Sequence, residues 1–226
     1  MIETKNLIKK YTGGDRDIYA VNNISLKVEP REFLAIVGRS GSGKSTLMYQ
    51  MGLLDRPSGG AVFVDGVDTS TLTDSERTHM RLTDLGYVFQ DYANLPSFTA
   101  LENVMLPLLM MGISKIEASE RALRALERVG LGDRVNNLPS ELSGGQQQRI
   151  SIARAIGHDP KILFADEPTA NLDTETSRMI LDVFLDLHRS GQTIVMVTHE
   201  EEYAALADRL IELSDGKIIK EQNRTP

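Results

Sequence analysis

Gly38-Arg39-Ser40-Gly41-Ser42-Gly43-Lys44-Ser45-Thr46 follows directly on the apolar stretch Phe33-Leu34-Ala35-Ile36-Val37. A buried strand thus empties into a glycine-rich turn whose spacing, G-x-x-x-x-G-K-S, matches a triphosphate cradle. Glycines let the backbone curl until successive N–H groups point at one centre. Lys44 then reaches the β- and γ-phosphates, and the Ser45 hydroxyl is placed to ligate Mg²⁺. A flexible Gly/Ser linker would have no use for lysine and serine at these offsets, or for an apolar strand just before them.

Working outward, three further segments share the design of Phe33–Val37. Leu85-Gly86-Tyr87-Val88-Phe89 ends at Gln90, Ile162-Leu163-Phe164-Ala165 ends at Asp166-Glu167, and Thr193-Ile194-Val195-Met196-Val197-Thr198 ends at His199. Short, mostly continuous apolar runs read as strands buried on both faces, hence a mainly parallel sheet flanked by helices. In such α/β sheets ligands bind outside the carboxyl ends of the strands, so Gln90, Asp166, Glu167 and His199 are expected on the rim that carries the phosphates. The fold class is therefore α/β, of the P-loop NTPase type.

The segments near 1–30 and Ala61-Val62-Phe63-Val64-Asp65-Gly66 read as shorter, turn-linked strands of an antiparallel patch. Between Gln90 and Pro160 the pattern turns helical. Thr99-Ala100-Leu101-Glu102 and Ser114-Lys115-Ile116-Glu117 both fit the capping box. The second predicts a helix to about Val129, stopped by Gly130, with Ile116, Leu123 and Leu126 on its apolar side. The expected organisation is one domain over 1–226, with a core lobe at about 1–90 and 160–226 and a helical subdomain at about 91–159.

The rim residues divide into chemical roles. Asp166 stands where a carboxylate holds Mg²⁺ in phosphate-loop enzymes, and Glu167 is placed to orient or deprotonate the water that attacks the γ-phosphate. Gln90 and His199 are candidates to touch the γ-phosphate or that water. A second anion reader is Leu142-Ser143-Gly144-Gly145-Gln146-Gln147-Gln148-Arg149. Ser143 caps a helix and Gln146 reaches back, while Gly144 and Gly145 leave the helix start bare, its N–H groups open to an anion.

Composition narrows the partners. The chain has 226 residues, 41% of them hydrophobic, a net charge of −7 and no cysteine. An acidic chain has no electrostatic footprint for nucleic acid. Without cysteine there are no disulfides, thiolate nucleophiles or Cys-based metal sites. Met1-Ile2-Glu3-Thr4-Lys5 lacks the apolar core of a secretion signal. The longest greasy run, Val104-Met105-Leu106-Pro107-Leu108-Leu109-Met110-Met111, is less than half of a membrane span and contains a proline. Any membrane role is therefore expected to come through a partner.

Together these motifs closely resemble the ATP-binding cassette (ABC) ATPases, over almost the whole chain. Gly38 to Thr46 looks like the Walker A loop, Gln90 like the Q-loop glutamine and Leu142 to Arg149 like the signature motif. Ile162 to Glu167 resembles Walker B with its catalytic glutamate, Ala170-Asn171-Leu172-Asp173 the D-loop, and His199 the switch histidine. Tyr11 matches the aromatic that stacks on adenine. Leu53-Leu54-Asp55-Arg56-Pro57, Phe98 to Val104, Pro168 to Asp173 and Ala207-Asp208-Arg209 are similar to a subgroup of lipoprotein-releasing (LolD-like), macrolide-exporting (MacB-like) and division-associated (FtsE-like) ATPases. Arg39, Ala170 and Glu200 depart from the residues frequent there, proline, glycine and aspartate.

The resemblance implies an ATPase with ATP and Mg²⁺ as ligands, the metal held by Ser45, Gln90 and Asp166. It implies a homodimer in which Ser143, Gly144, Gly145, Gln146 and Asp173 act on the nucleotide of the opposite subunit. It further implies an integral membrane permease, docked beside Gln90 and the segment Asp91 to Leu109, although that apolar, methionine-rich stretch reads equally as core, and a cytoplasmic location, peripheral at the membrane through that permease. Lys44, Gln90, Glu167 and His199 would carry the catalysis. The alternative is a soluble ABC ATPase acting on a protein assembly; the chain has no long coiled coil and only one cassette, which speaks partly against it.

Overall fold

The computed structural model of the chain describes residues 1–13 and 16–223. In chain order the elements are β1 (Ile2–Gly13), β2 (Arg16–Val28), β3 (Phe33–Val37), α1 (Lys44–Met51), β4 (Gly59–Val64), β5 (Val67–Asp68), α2 (Asp74–Asp84), β6 (Leu85–Val88), α3 (Ala100–Met110) and α4 (Lys115–Arg128). A 3₁₀ turn (Pro139–Glu141) then precedes α5 (Gly144–Ile156), β7 (Ile162–Asp166), α6 (Thr174–Arg189), β8 (Thr193–Val197), α7 (Glu201–Ala204), β9 (Arg209–Ser214) and β10 (Lys217–Asn223). The chain divides into two compact units, Met1–His79 with Gly191–Pro226, and Met80–Ser190.

In the first unit, β3 lies between β8 and β9 and is parallel to both, while β10 runs antiparallel on the outer side of β9. Phe33, Leu34, Ala35 and Ile36 are each at most 1% exposed, as are all five residues of β8. This double-sided burial is why both strands read as unbroken apolar runs. The Thr198 N–H donates to Ile36 O at 3.1 Å, so β8 and β3 end side by side and deliver His199 and the phosphate loop to the same edge. The expected antiparallel patch is also present, in the order β2-β1-β4-β5.

In the second unit, β6 and β7 pair in parallel, with Val88 opposite Ala165. Gln90 and Asp166-Glu167 thus leave neighbouring strands at the same end. Tyr87 stacks on Phe164 with ring centroids 5.8 Å apart. Helices α3, α4 and α5 intervene between β6 and β7 in sequence. Thr99 forms the full expected capping box with Glu102.

The prediction for α4 is corrected in two respects. Ser114 accepts from the Glu117 N–H, but the Glu117 carboxylate turns to Arg121, 2.6 Å away, instead of reaching back to the cap. Its buried face is built from Ala118, Ala122, Ala125 and Leu126, whereas Ile116 is 77% exposed and Leu123 is on the surface. Alanines allow close approach to the neighbouring helices, and a scan for large apolar residues overlooks them. The run Val104–Met111 is split in the same way: Val104, Met105 and Leu108 are core, while Leu109 and Met110 are exposed. Among the described residues no helix is long and apolar enough to cross a membrane.

Candidate active site

The phosphate loop is shaped by backbone conformation. Gly38, Gly41 and Gly43 all have positive φ, at 148°, 78° and 101°. Gly43 is the decisive one. It ends the loop and caps α1, and a Cβ there would lie 1.9 Å from Ala20 O, so a side chain is excluded both by conformation and by space. The turn closes through Ser42 N–H to Arg39 O at 3.1 Å and opens the helix through Leu47 N–H to Gly43 O at 2.8 Å.

Lys44 is 5% exposed and folds back over the loop, its Nζ donating to Gly38 O at 2.9 Å and Arg39 O at 3.0 Å. Among the described residues its printed partners are these two carbonyls, which an incoming phosphate can replace. Ser42 Oγ is buried without a hydrogen-bond partner among the described residues. An orphaned hydroxyl inside a ring of backbone donors fits an anionic oxygen.

Gly38, Arg39 and Ser40 share a pocket of about 400 Å³ with His199, Glu212, Lys220 and Gln222. The structure therefore brings the switch-histidine candidate to the loop. Tyr11 lies on β1, 47% exposed, with Lys9 Nζ 5.3 Å from its ring centroid. It is no core tyrosine, and its ring offers a surface on which a planar base can stack.

In the second unit Gln90, Asp166 and Glu167 stand at or just beyond the ends of β6 and β7, and Ser143 and Asp173 cap helices. Asp166 is 7% exposed at the last position of β7. Glu167 follows at φ 44°, a left-handed conformation unfavourable to a side-chain-bearing residue, held by Ala170 N–H donating to Glu167 O at 3.1 Å. Gln90 is exposed, and its backbone oxygen accepts from Asn171 Nδ2 at 3.1 Å. Ser143 and Gln146 form the capping box of α5, with the Ser143 N–H donating to Gln146 Oε1 at 2.9 Å. Asp173 caps α6, accepting from the Thr176 N–H at 2.9 Å and the Thr176 hydroxyl at 2.7 Å. Those two bonds hold its carboxyl below the usual carboxylate range.

Two residues of this region escaped the sequence reading. Asn103, 0% exposed, ties the loop after Gln90 to α3. Its Oδ1 accepts from the Leu95 N–H at 2.7 Å, and its Nδ2 donates to the carbonyls of Leu95, Phe98 and Thr99 at 2.9–3.1 Å. Arg154 donates to the carbonyls of Tyr92 and Ala93. An asparagine four residues after a helix cap was a usable signal, since such side chains favour backbone partners. The arginine gave none.

Ser45, Gln90 and Asp166 offer a hydroxyl, an amide oxygen and a carboxylate, all hard oxygen donors that suit Mg²⁺. Among the described residues no group of three or more His, Cys, Asp or Glu side chains forms a metal cage.

Comparison with known proteins gives the same direction. The model of the ABC transporter family matches residues 21–170. The chain is 48% identical to the lipoprotein-releasing system ATP-binding protein LolD of Aquifex aeolicus, over 90% of this chain and 91% of that protein. It is 44% identical to the macrolide export ATP-binding/permease protein MacB of Aggregatibacter actinomycetemcomitans, over 99% of this chain but 35% of that longer protein. Among solved structures, the dimeric, ADP- and phosphate-bound post-hydrolysis state of the ATP-binding cassette MJ0796 superposes with a TM-score of 0.91 at 41% identity, covering 99% of this chain and 98% of that one.

Proposed function

The chain belongs to the ABC transporter family and is an ATP-binding, ATP-hydrolysing cassette; from that premise we propose that it powers a membrane permease of the lipoprotein-releasing or macrolide-exporting kind by closing as a dimer on ATP. The carrying observation is the loop over Gly38–Thr46, with Gly43 in a left-handed conformation that disfavours a side chain and Lys44 Nζ donating to the Gly38 and Arg39 carbonyls.

In this reading the loop N–H groups, Lys44 and Ser42 bind the triphosphate, and Tyr11 stacks on the base. Mg²⁺ would be held by Ser45, Gln90 and Asp166 and would offset phosphate charge. Glu167 accepts a proton from the attacking water as its oxygen bonds to the γ-phosphorus and the bond to the β–γ bridging oxygen breaks; ADP and phosphate leave. His199 and Gln90 orient the water and steady the charge on the γ-phosphate.

The second copy contributes the start of α5, Ser143 to Gln146, together with Asp173. This arrangement is supported by the dimeric state of the MJ0796 cassette. A permease partner is supported by MacB, in which cassette and permease are one protein. It docks on the groove formed by β6, α3 and α5, which takes in Leu95, Leu106, Pro107 and Met110. Cytoplasmic, peripheral membrane attachment follows from that docking.

Two measurements test the proposal. ATPase activity per molecule of the isolated chain should rise with protein concentration until dimers saturate; strict proportionality while the protein is monomeric would contradict the shared site. Affinity purification from membranes should bring down an integral membrane protein. A soluble assembly in its place would favour the alternative reading.

A further inference from the structure

Arg154 is held by backbone carbonyls in place of a carboxylate among the described residues. Arg154, on α5, is partly buried, and its guanidinium donates to two backbone carbonyls, Ala93 O at 2.6 Å and Tyr92 O at 2.9 Å. Among the described residues no carboxylate meets it. Burial draws its pKa below the usual guanidinium value.

Arg154 lines a groove of about 370 Å³ whose walls include Leu85, Tyr87, Leu106 and Pro107, and in which Arg81 is the other charged residue. Among the described residues no acidic side chain lines it, in a chain whose net charge is −7. His158 also lines the groove. It is 8% exposed, and its Nδ1 has no partner among the described residues. The groove's walls are mostly apolar and its charged lining residues are cations, so its complement is an apolar element carrying an anion.

The carbonyls that hold Arg154 belong to an unusual turn. Tyr92 and Ala93 both have positive φ, 60° and 51°, which side-chain-bearing residues adopt only under constraint. The Tyr92 side chain reaches the first residue of α5: a Cβ built on Gly144 would lie 2.9 Å from Tyr92 Oη. Groove, guanidinium, strained turn and the start of the α5 anion reader thus lie next to one another.

Resting on the reading that a membrane partner docks in this groove, we propose that the docking element is a helix bearing a carboxylate that pairs with Arg154. The pairing draws the guanidinium off Tyr92 and Ala93 and so resets Tyr92 against Gly144. Arg154 is a positioning residue: it touches no nucleotide and acts through the Tyr92–Ala93 turn.

The test uses the complex of this chain with the membrane protein that copurifies with it. Arg154→Glu should lower partner-stimulated ATPase by about tenfold or more, with KM for ATP within about twofold. Changing one Asp or Glu of the partner's cytoplasmic segments to Lys should restore at least about half of the stimulation when combined with Arg154→Glu, and should impair the parent chain. Arg154→Lys, which keeps the charge, should retain most of the stimulation. If Arg154→Glu does not fold, Arg154→Gln gives the same readout. A variant stimulated like the parent, restoration by no partner reversal, or evidence that the groove is filled by a second copy of this chain would each overturn the proposal. Failure of the docking reading looks different: Leu106→Glu with Met110→Glu would then leave the complex intact.

Discussion

A methyl group of Thr176 stands where a side chain on Gly145 would have to go: a Cβ built on Gly145 lies 2.1 Å from Thr176 Cγ2. Thr176 is itself pinned, because its N–H and hydroxyl both bond the Asp173 carboxylate that caps α6. The starts of α5 and α6 therefore touch through Gly145, which gives this glycine a packing role beside the anion-binding role read from its sequence. Helix propensity alone favours alanine over glycine by up to about 1 kcal/mol. Overpacking against a fixed neighbour costs about 1–3 kcal/mol and prevails. Gly145→Ala should lower unfolding stability by about 1–2 kcal/mol on balance. Thr176→Ser, which removes the methyl and keeps the hydroxyl, should recover most of that loss in a double-mutant cycle. Additive effects in urea denaturation would mean that the contact does not decide the residue.

Glu167 holds a left-handed conformation at φ 44°. For a residue with a side chain this costs about 1–2 kcal/mol. Glu167→Gly should therefore leave unfolding stability unchanged or raise it by up to about 1 kcal/mol, the release of strain being offset by the greater freedom of the unfolded chain. ATPase activity should fall by about two orders of magnitude or more with the loss of the base. A clear loss of stability in thermal unfolding would show that the backbone conformation is not strained.

Asn103 satisfies four backbone groups of the loop 95–99 from a position with no solvent contact. Asn103→Ala leaves buried donors and acceptors without partners. It should cost about 2–3 kcal/mol in urea denaturation and increase hydrogen exchange at Leu95. A loss under about 0.5 kcal/mol would mean that water replaces the side chain at little cost.

His158 is packed under β6 with Nε2 3.2 Å from Leu85 O, so that nitrogen carries the proton and Nδ1 is left bare. Burial lowers its pKa, outweighing the carbonyl, which acts in the opposite direction. The unfolded chain titrates near ~6.5, the folded one lower. As pH falls below ~6.5 the unfolded state takes up the proton first, so this contribution to stability is whole above about pH 7 and is lost as pH drops through the folded value. His158→Gln should flatten the pH dependence of unfolding free energy below about pH 6.5. Identical slopes in the two proteins would remove His158 from the account.

What the sequence revealed and what it hid follow from the range of the interactions involved. The order from β3 into the phosphate loop, the ends of β6, β7 and β8, and the capping residues Thr99 and Ser143 are local patterns, and they were legible. The Gly145–Thr176 contact spans thirty-one positions and the bonds from Arg154 to Tyr92 and Ala93 about sixty, distances over which no periodicity operates. Ile116 and Leu123 misled because size was taken for burial, whereas the packed face of α4 is made of alanines. The strain at Glu167 could not be foreseen from a carboxylate following a strand.

The central claim is that nucleotide is clasped between two copies of this chain. The direct measurement is light scattering on size-exclusion chromatography of Glu167→Gln, which keeps the side chain's shape while removing the base, with and without saturating Mg·ATP. A dimer should appear with Mg·ATP and disperse when the nucleotide is removed. A chain that remains monomeric with Mg·ATP bound and turnover blocked would contradict it.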